Sequence, residues 1–200
     1  MVPEVTTEHA MATATLPMTT ADLLAIPDDG KRRWLIRGEL REQDVTIRNR
    51  FHSGTMANIA TELNNWRRTL KTPRGQVVCG EAGVRLPGKD DEEDTTLGVD
   101  VAYVPPEVMV RQSDDSTIIE GVPSLVVEIL SPSDKIEEID EMIEEYLEAG
   151  TPLLWVVSPS WRNVTIYQSG RDATFVNDKQ EIDGGDVLPG FRCPVERFFD

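Results

Sequence analysis

Two carboxylates stand where strongly apolar strands are expected. Asp100 lies inside Gly98-Val99-Asp100-Val101-Ala102-Tyr103-Val104, and Glu128 inside Leu125-Val126-Val127-Glu128-Ile129-Leu130. An ionised carboxylate in a buried strand costs several kcal/mol unless a cation, a metal or an open sheet end relieves it. A third acid, Glu81, separates the strand-like runs 76–80 and 82–86. Acids converging from strand ends are the hard oxygen ligands that Mg²⁺ or Mn²⁺ prefers. Such an ion polarises a phosphoryl oxygen and lowers the pKa of its bound water, and a nearby lysine can stabilise developing negative charge. Taken singly, each acid also fits a salt bridge or an exposed sheet end.

Other chemistries find less support in the chain. Cys79 and Cys193 are far apart, without the spacing of a zinc site, and fit a reducing, cytoplasmic setting. There is no GxGxxG and no P-loop. Of the two histidines, His9 falls in the N-terminal tail. His52 opens a long helix, where a surface position is expected, and it stays a candidate for the site. The acidic run 90–94 reads as a solvated loop, because it lacks the spacing of an EF-hand.

Several elements must position these residues. Residues 1–17 read as a flexible tail and 18–200 as one domain. Thr20 is the expected cap of a short helix ending before Pro27-Asp28-Asp29-Gly30. Residues 33–42 read as a hairpin turning at Arg37-Gly38. From Phe51 to Leu70, apolar residues at 56, 59, 60, 63, 66 and 70 make an amphipathic helix. Arg67, Arg68, Lys71 and Arg74 follow at its end, where cations suit the helix dipole. The Glu128 strand leads to a helix that Ser133 or Asp134 can cap and that runs to Ala149 before Gly150. Leu153 to Val157 is the next buried strand, so strand, helix and strand form a right-handed parallel crossover. Residues 163–167 should return antiparallel, and a closing turn and short helix end the chain.

With 39% hydrophobic and 28% charged residues, the composition is that of a globular domain. No apolar run reaches a membrane span, and no secretory signal is expected. The net charge of −16 is uneven. Residues 1–75 hold 11 Lys+Arg against 9 Asp+Glu, whereas 76–200 hold 9 against 27. Such acidity keeps a protein soluble and repels phosphate backbones, without excluding a local basic patch or a metal-mediated approach.

Read in order, these pieces resemble the Uma2-like endonuclease family, also called DUF820, of the PD-(D/E)XK nuclease superfamily. The likeness rests on 18–30, on Gly38-Glu39-Leu40, on His52, on 81–86, on the Asp100 strand, on 125–134 through Ser131-Pro132-Ser133, on 146–150 with Trp155, and on Leu188-Pro189-Gly190-Phe191. It implies an α/β fold with a restriction-endonuclease-like core, a mixed β-sheet flanked by helices. It also implies that Asp100 and Glu128 hold Mg²⁺ or Mn²⁺, with Glu81 as a third acid and with His52 and Glu39 as further site candidates. The implied activity is metal-dependent hydrolysis of nucleic acid, DNA before RNA, by a chain that can form a homodimer.

One departure bears on activity. The resemblance places a catalytic lysine four residues before Tyr146, and that position is Met142. Methionine carries no charge and donates no hydrogen bond. Lys135 is seven residues earlier, two turns away, or about 10 Å along a helix axis. Either Lys135 assists catalysis from there, or it is a solvated first-turn residue. The rival reading of the whole chain is a catalytically degenerate member that serves as a binding or interaction module. A weaker third reading is a metal or small-phosphate binder without nuclease chemistry.

Overall fold

A computed structural model describes residues 16–44, 49–88 and 94–200. The expected tail lies outside the described residues apart from Leu16 and Pro17, as does the acidic run apart from Asp94. Helix α1 (Thr20–Ala25) comes first, capped by Thr19 rather than Thr20. The Thr19 hydroxyl accepts from the Asp22 amide while the Asp22 carboxylate accepts from the Thr19 amide, a reciprocal capping box. That box needs an acid three residues after the cap, which only the Thr19 register supplies. The Thr20 hydroxyl is instead buried against that of Thr96 at 2.7 Å.

Strands β1 (Lys31–Ile36) and β2 (Glu39–Asp44) form the expected antiparallel hairpin. Arg37 and Gly38 both take positive φ, as a two-residue turn between twisted strands requires. Gly38 also has no room for a side chain, since a Cβ there would collide with Pro17. Helix α2 (Arg50–Thr69) is capped by Asn49, whose side chain accepts from the His52 amide at 3.0 Å.

Glu81 interrupts the two strand-like runs on either side of it, yet they are one strand, β3 (Gln76–Leu86). A bulge between Cys79 and Ala82 absorbs the interruption, with Gly80 and Glu81 both at positive φ. Strand β4 (Thr95–Val104) pairs antiparallel with β3 along its length. The polar stretch after it holds helix α3 (Pro106–Met109) and strand β5 (Ile119–Glu120), which pairs with β3. Strand β6 (Leu125–Ile129) is buried throughout. Helix α4 (Ile136–Glu148) leads from it to β7 (Leu153–Ser158), and β6 and β7 are parallel. Strand β8 (Asn163–Tyr167) returns antiparallel, as expected. Less visible in the sequence are β9 (Thr174–Asn177), which extends the sheet, and the small ribbon of β10 (Glu181–Asp183) with β11 (Arg192–Pro194). A 3₁₀ turn, Val195–Phe198, closes the chain.

Among the described residues the main sheet runs β2-β1-β4-β6-β7-β8-β9, with β3 attached to β4 and β5 attached to β3. It is mixed, with one parallel pair inside the path. One core cluster joins Ile59, Leu63 and Trp66 of α2 to Val127, Trp155 and the C-terminal residues Phe191 and Phe198. The other joins Met142, Ile143 and Tyr146 of α4 to Trp34, Val126 and Leu154. Two helices therefore cover two sides of one sheet, the layered solution for a sheet apolar on both faces. No described helix is long and apolar enough to cross a membrane.

Polar contacts fix α4 over the hairpin. The Arg37 guanidinium donates to Glu145 Oε1 at 2.8 Å and to Glu148 Oε2 at 3.0 Å, and Thr95 Oγ1 donates to Glu145 Oε2 at 3.0 Å. Arg41 donates to Glu141 at 2.9 Å. These contacts hold Tyr146 and Met142 against the middle of the sheet.

Candidate metal and active site

Strand β4 changes neighbours along one edge. Its start meets β1 at Thr96, and its later residues Val101 to Tyr103 pair with β6. The registered pair Val101 and Val127, continued by one step, sets Asp100 opposite Glu128. Residues directly opposite share a face of an antiparallel pair. Strand alternation thus brings together two acids 28 positions apart, at the point where β1 departs and β6 begins. Both are buried, each 4% exposed.

Their hydrogen bonds differ. Asp100 Oδ2 accepts from the Ile129 amide at 2.8 Å. Asp100 Oδ1 is buried and has no hydrogen-bond partner. Glu128 Oε1 accepts from the Tyr146 hydroxyl at 2.8 Å. Burial first and the Asp100 charge second push the Glu128 carboxyl up to about 8, against the opposing Arg32 charge and the Tyr146 hydrogen bond. Burial, then Glu128, also raises the Tyr146 hydroxyl well above its ordinary value, so it remains a donor.

The two acids line a small cavity of about 10 Å³ with Arg32, Trp34, Gln43, Asp134 and Met142. That is close to the room needed for one water-sized particle. Arg32 and Gln43 are registered partners on β1 and β2, which explains why both reach it. Neither carried a signal in the sequence beyond the alternation of a hairpin.

The other candidates are distributed around this pair. His52 is buried, 1% exposed, and not on the surface as its helix-start position suggests. It continues the buried stripe of α2, through Thr55 and Ile59, one turn back from Met56. Extending the helical period by four residues would have found it. Its Nε2 lies 3.2 Å from Asp100 Oδ2, close enough for an ion pair when the imidazole is protonated. Glu81 does not line the cavity; its Oε2 lies 2.9 Å from Arg32 Nε. Glu39 is exposed and pairs with Arg41 at 2.8 Å.

Lys135 also stays out of the cavity. It is the residue preceding α4, its side chain is 69% exposed, and its Nζ lies 2.6 Å from Glu138. The expected caps Ser133 and Asp134 do not cap the helix, because Asp134 Oδ2 is used earlier, accepting from the Ser131 amide at 2.7 Å. Met142, by contrast, stands in the cavity wall, 4% exposed. The position of the implied lysine is thus beside the acids, but filled by a thioether.

The donor set fits a hard divalent ion. Mg²⁺ commonly takes one or two carboxylates and keeps several waters, and Asp100 Oδ1 is a buried acceptor without a donor. Among the described residues no three His, Cys, Asp or Glu side chains gather closely enough to form a fuller cage.

Comparison with known proteins agrees with this architecture. A search of curated proteins finds no match to the chain. A crystal structure described as "a putative nuclease belonging to DUF820 from Anabaena variabilis ATCC 29413" is similar to it in fold, with a TM-score of 0.75 at 14% sequence identity. The likeness covers 92% of this chain and 98% of that one. Residues 20–196 match the family described as "Uma2: Putative restriction endonuclease". With that match spanning almost all of its length, the chain belongs to the Uma2 family.

Proposed function

We propose that this protein is a metal-dependent endonuclease that hydrolyses phosphodiester bonds of nucleic acid, DNA before RNA, with Asp100 and Glu128 as the metal ligands. The observation that supports it is the buried pair itself: two acids share a face, and one oxygen, Asp100 Oδ1, is without a partner. Burial, and then the nearby Asp100 charge, disfavour an ionised Glu128. A divalent cation removes that conflict. When bound, Mg²⁺ or Mn²⁺ polarises a phosphoryl oxygen and supplies a more acidic water.

The chain's own residues do the rest. The Ile129 amide fixes the orientation of Asp100, and the Tyr146 hydroxyl fixes that of Glu128. Trp34, Ile139 and Met142 keep bulk water from the walls, so charge in the cavity is less screened than at the surface. His52 stands behind Asp100 on the α2 side, with its Nε2 3.2 Å from Asp100 Oδ2.

Cleavage of supercoiled plasmid, single-stranded DNA and RNA, each with Mg²⁺, Mn²⁺ or chelator, tests the reading. Cleavage by the wild type that requires metal, and that falls by roughly 10²-fold or more in Asp100→Ala and Glu128→Ala, is the expected result. Equal cleavage by those variants would refute it.

A second reading is favoured by Met142. With the helix position beside the acids filled by methionine and Lys135 paired to Glu138 outside, the chain could retain the fold as a binding module alone. Under that reading the wild type is inert and Met142→Lys gains metal-dependent cleavage.

A further inference from the structure

The cavity that holds the two acids has one basic side chain among its described lining residues, Arg32. Lys135 does not reach it, and Met142 has no charge to bring. Arg32 enters from β1, on the hairpin, far in sequence from the helix that would have carried a lysine. We propose that Arg32 is the catalytic cation of this site, contacting the scissile phosphate and stabilising the negative charge that develops on it. The proposal rests on the nuclease reading above and names the group that completes it.

The guanidinium is held in place from several directions. Its Nε lies 2.9 Å from Glu81 Oε2, its Nη2 donates to the Gly98 carbonyl at 3.1 Å, and its Cζ sits 5.3 Å from the centre of the Trp34 ring. A guanidinium carries five N–H donors, more than these contacts use. A planar fork fixed in advance suits the oxygens of a phosphate, and a fixed charge needs no rearrangement as the reaction proceeds. The surrounding backbone is arranged for this. Glu81 reaches Arg32 from a bulge at positive φ, and a Cβ on Gly98 would stand only 3.0 Å from Glu81 Oε2. Arg32 is 19% exposed in its side chain, so it is partly desolvated yet open to a ligand.

In the reaction a water oxygen bonds to phosphorus, and the bond from phosphorus to the leaving ester oxygen breaks with its electron pair. The water gives up a proton to solvent base, and the leaving oxygen gains one from solvent. Arg32 stays protonated throughout and moves no proton. Its part is electrostatic, at the non-bridging oxygens.

Two measurements on the full chain test this: steady-state plasmid cleavage in Mn²⁺, and the affinity for Mn²⁺ alone by calorimetry. Arg32→Gln is expected to lower kcat by roughly 10²-fold or more while Mn²⁺ binds as well as or better than in the wild type, because a neighbouring cation has gone. Arg32→Gln/Met142→Lys is expected to regain about tenfold or more of the lost rate, since a charge returns to the lining of the same cavity. Should Arg32→Gln unfold, Arg32→Gln/Glu81→Gln, which removes both charges of the pair, reads the same two quantities. Wild-type cleavage in Arg32→Gln, or a loss of cleavage matched by an equal loss of Mn²⁺ affinity, would overturn the role of Arg32. A wild type that cleaves nothing in any metal overturns the nuclease reading itself, and Arg32 with it.

Discussion

At Glu128 burial, a neighbouring acid and a tyrosine hydroxyl act on one carboxyl group. Its folded value of about 8 lies above the ordinary 4.5. The metal-free protein therefore binds a proton at Glu128 that the unfolded chain releases. This stabilisation is complete below about pH 4.5 and is lost as pH rises through about 8. Between those limits thermal unfolding without metal should show a Glu128 contribution that declines with pH. Comparing wild type with Glu128→Gln isolates it: the variant should gain in relative Tm as pH rises from 5 to 8.5, and parallel Tm curves would contradict the assignment. The same proton competes with a divalent cation, so metal affinity should rise over that pH range.

Among the elements, α4 decides whether the site keeps its shape. The helix sets both Tyr146 and Met142 over the acids, and Glu145 secures it to the Arg37 turn and to Thr95. In Glu145→Ala the buried Thr95 hydroxyl loses its acceptor and Arg37 loses a charged partner. A cost of about 1–3 kcal/mol follows, measurable by urea denaturation. Glu148→Ala, at the exposed end of the same network, should cost less, about 1 kcal/mol or below. Much of this arrangement was legible beforehand. The apolar runs and the Gly150 stop gave β6, α4 and β7, and the acids at 100 and 128 stood out because their neighbours are apolar. Arg32 and Gln43 were not legible, because an exposed hairpin and a hairpin whose one face meets a helix share the same alternation. His52 was hidden for a related reason, since a polar residue at a helix start matches a surface pattern until the partner acid is known. Glu81 looked like a third ligand by residue type, and only the bulge shows its carboxylate aimed at Arg32.

Across the whole molecule, the two core clusters lie on opposite sides of one sheet and share its strands. Neither layer can lose its helix without exposing strands that the other layer also packs against. Unfolding should therefore be a single cooperative step. Trp34 reports on the α4 side and Trp155 on the α2 side. Fluorescence of Trp34→Phe, which keeps Trp66 and Trp155 on the α2 side, and of Trp66→Phe/Trp155→Phe, which keeps Trp34 on the α4 side, each compared with far-UV circular dichroism of the same variant, should give coincident midpoints. Separate transitions would show that the layers fold independently. The uneven charge has its own consequence at this scale. An acidic surface lends little counterion release to nucleic-acid binding. Under the proposed function, recognition of nucleic acid depends on the cavity, on Arg32 and on the cation that neutralises the two acids.

Neutralisation of the two acids by a divalent cation can be measured directly. Calorimetric titration of the wild type, Asp100→Asn and Glu128→Gln with Mn²⁺ at pH 7.5 measures it without reference to any substrate. Saturable binding to the wild type is expected, with affinity reduced about tenfold or more in each variant and folding retained by circular dichroism. Mn²⁺ binding of equal strength in all three proteins, or no binding to the wild type, would contradict it.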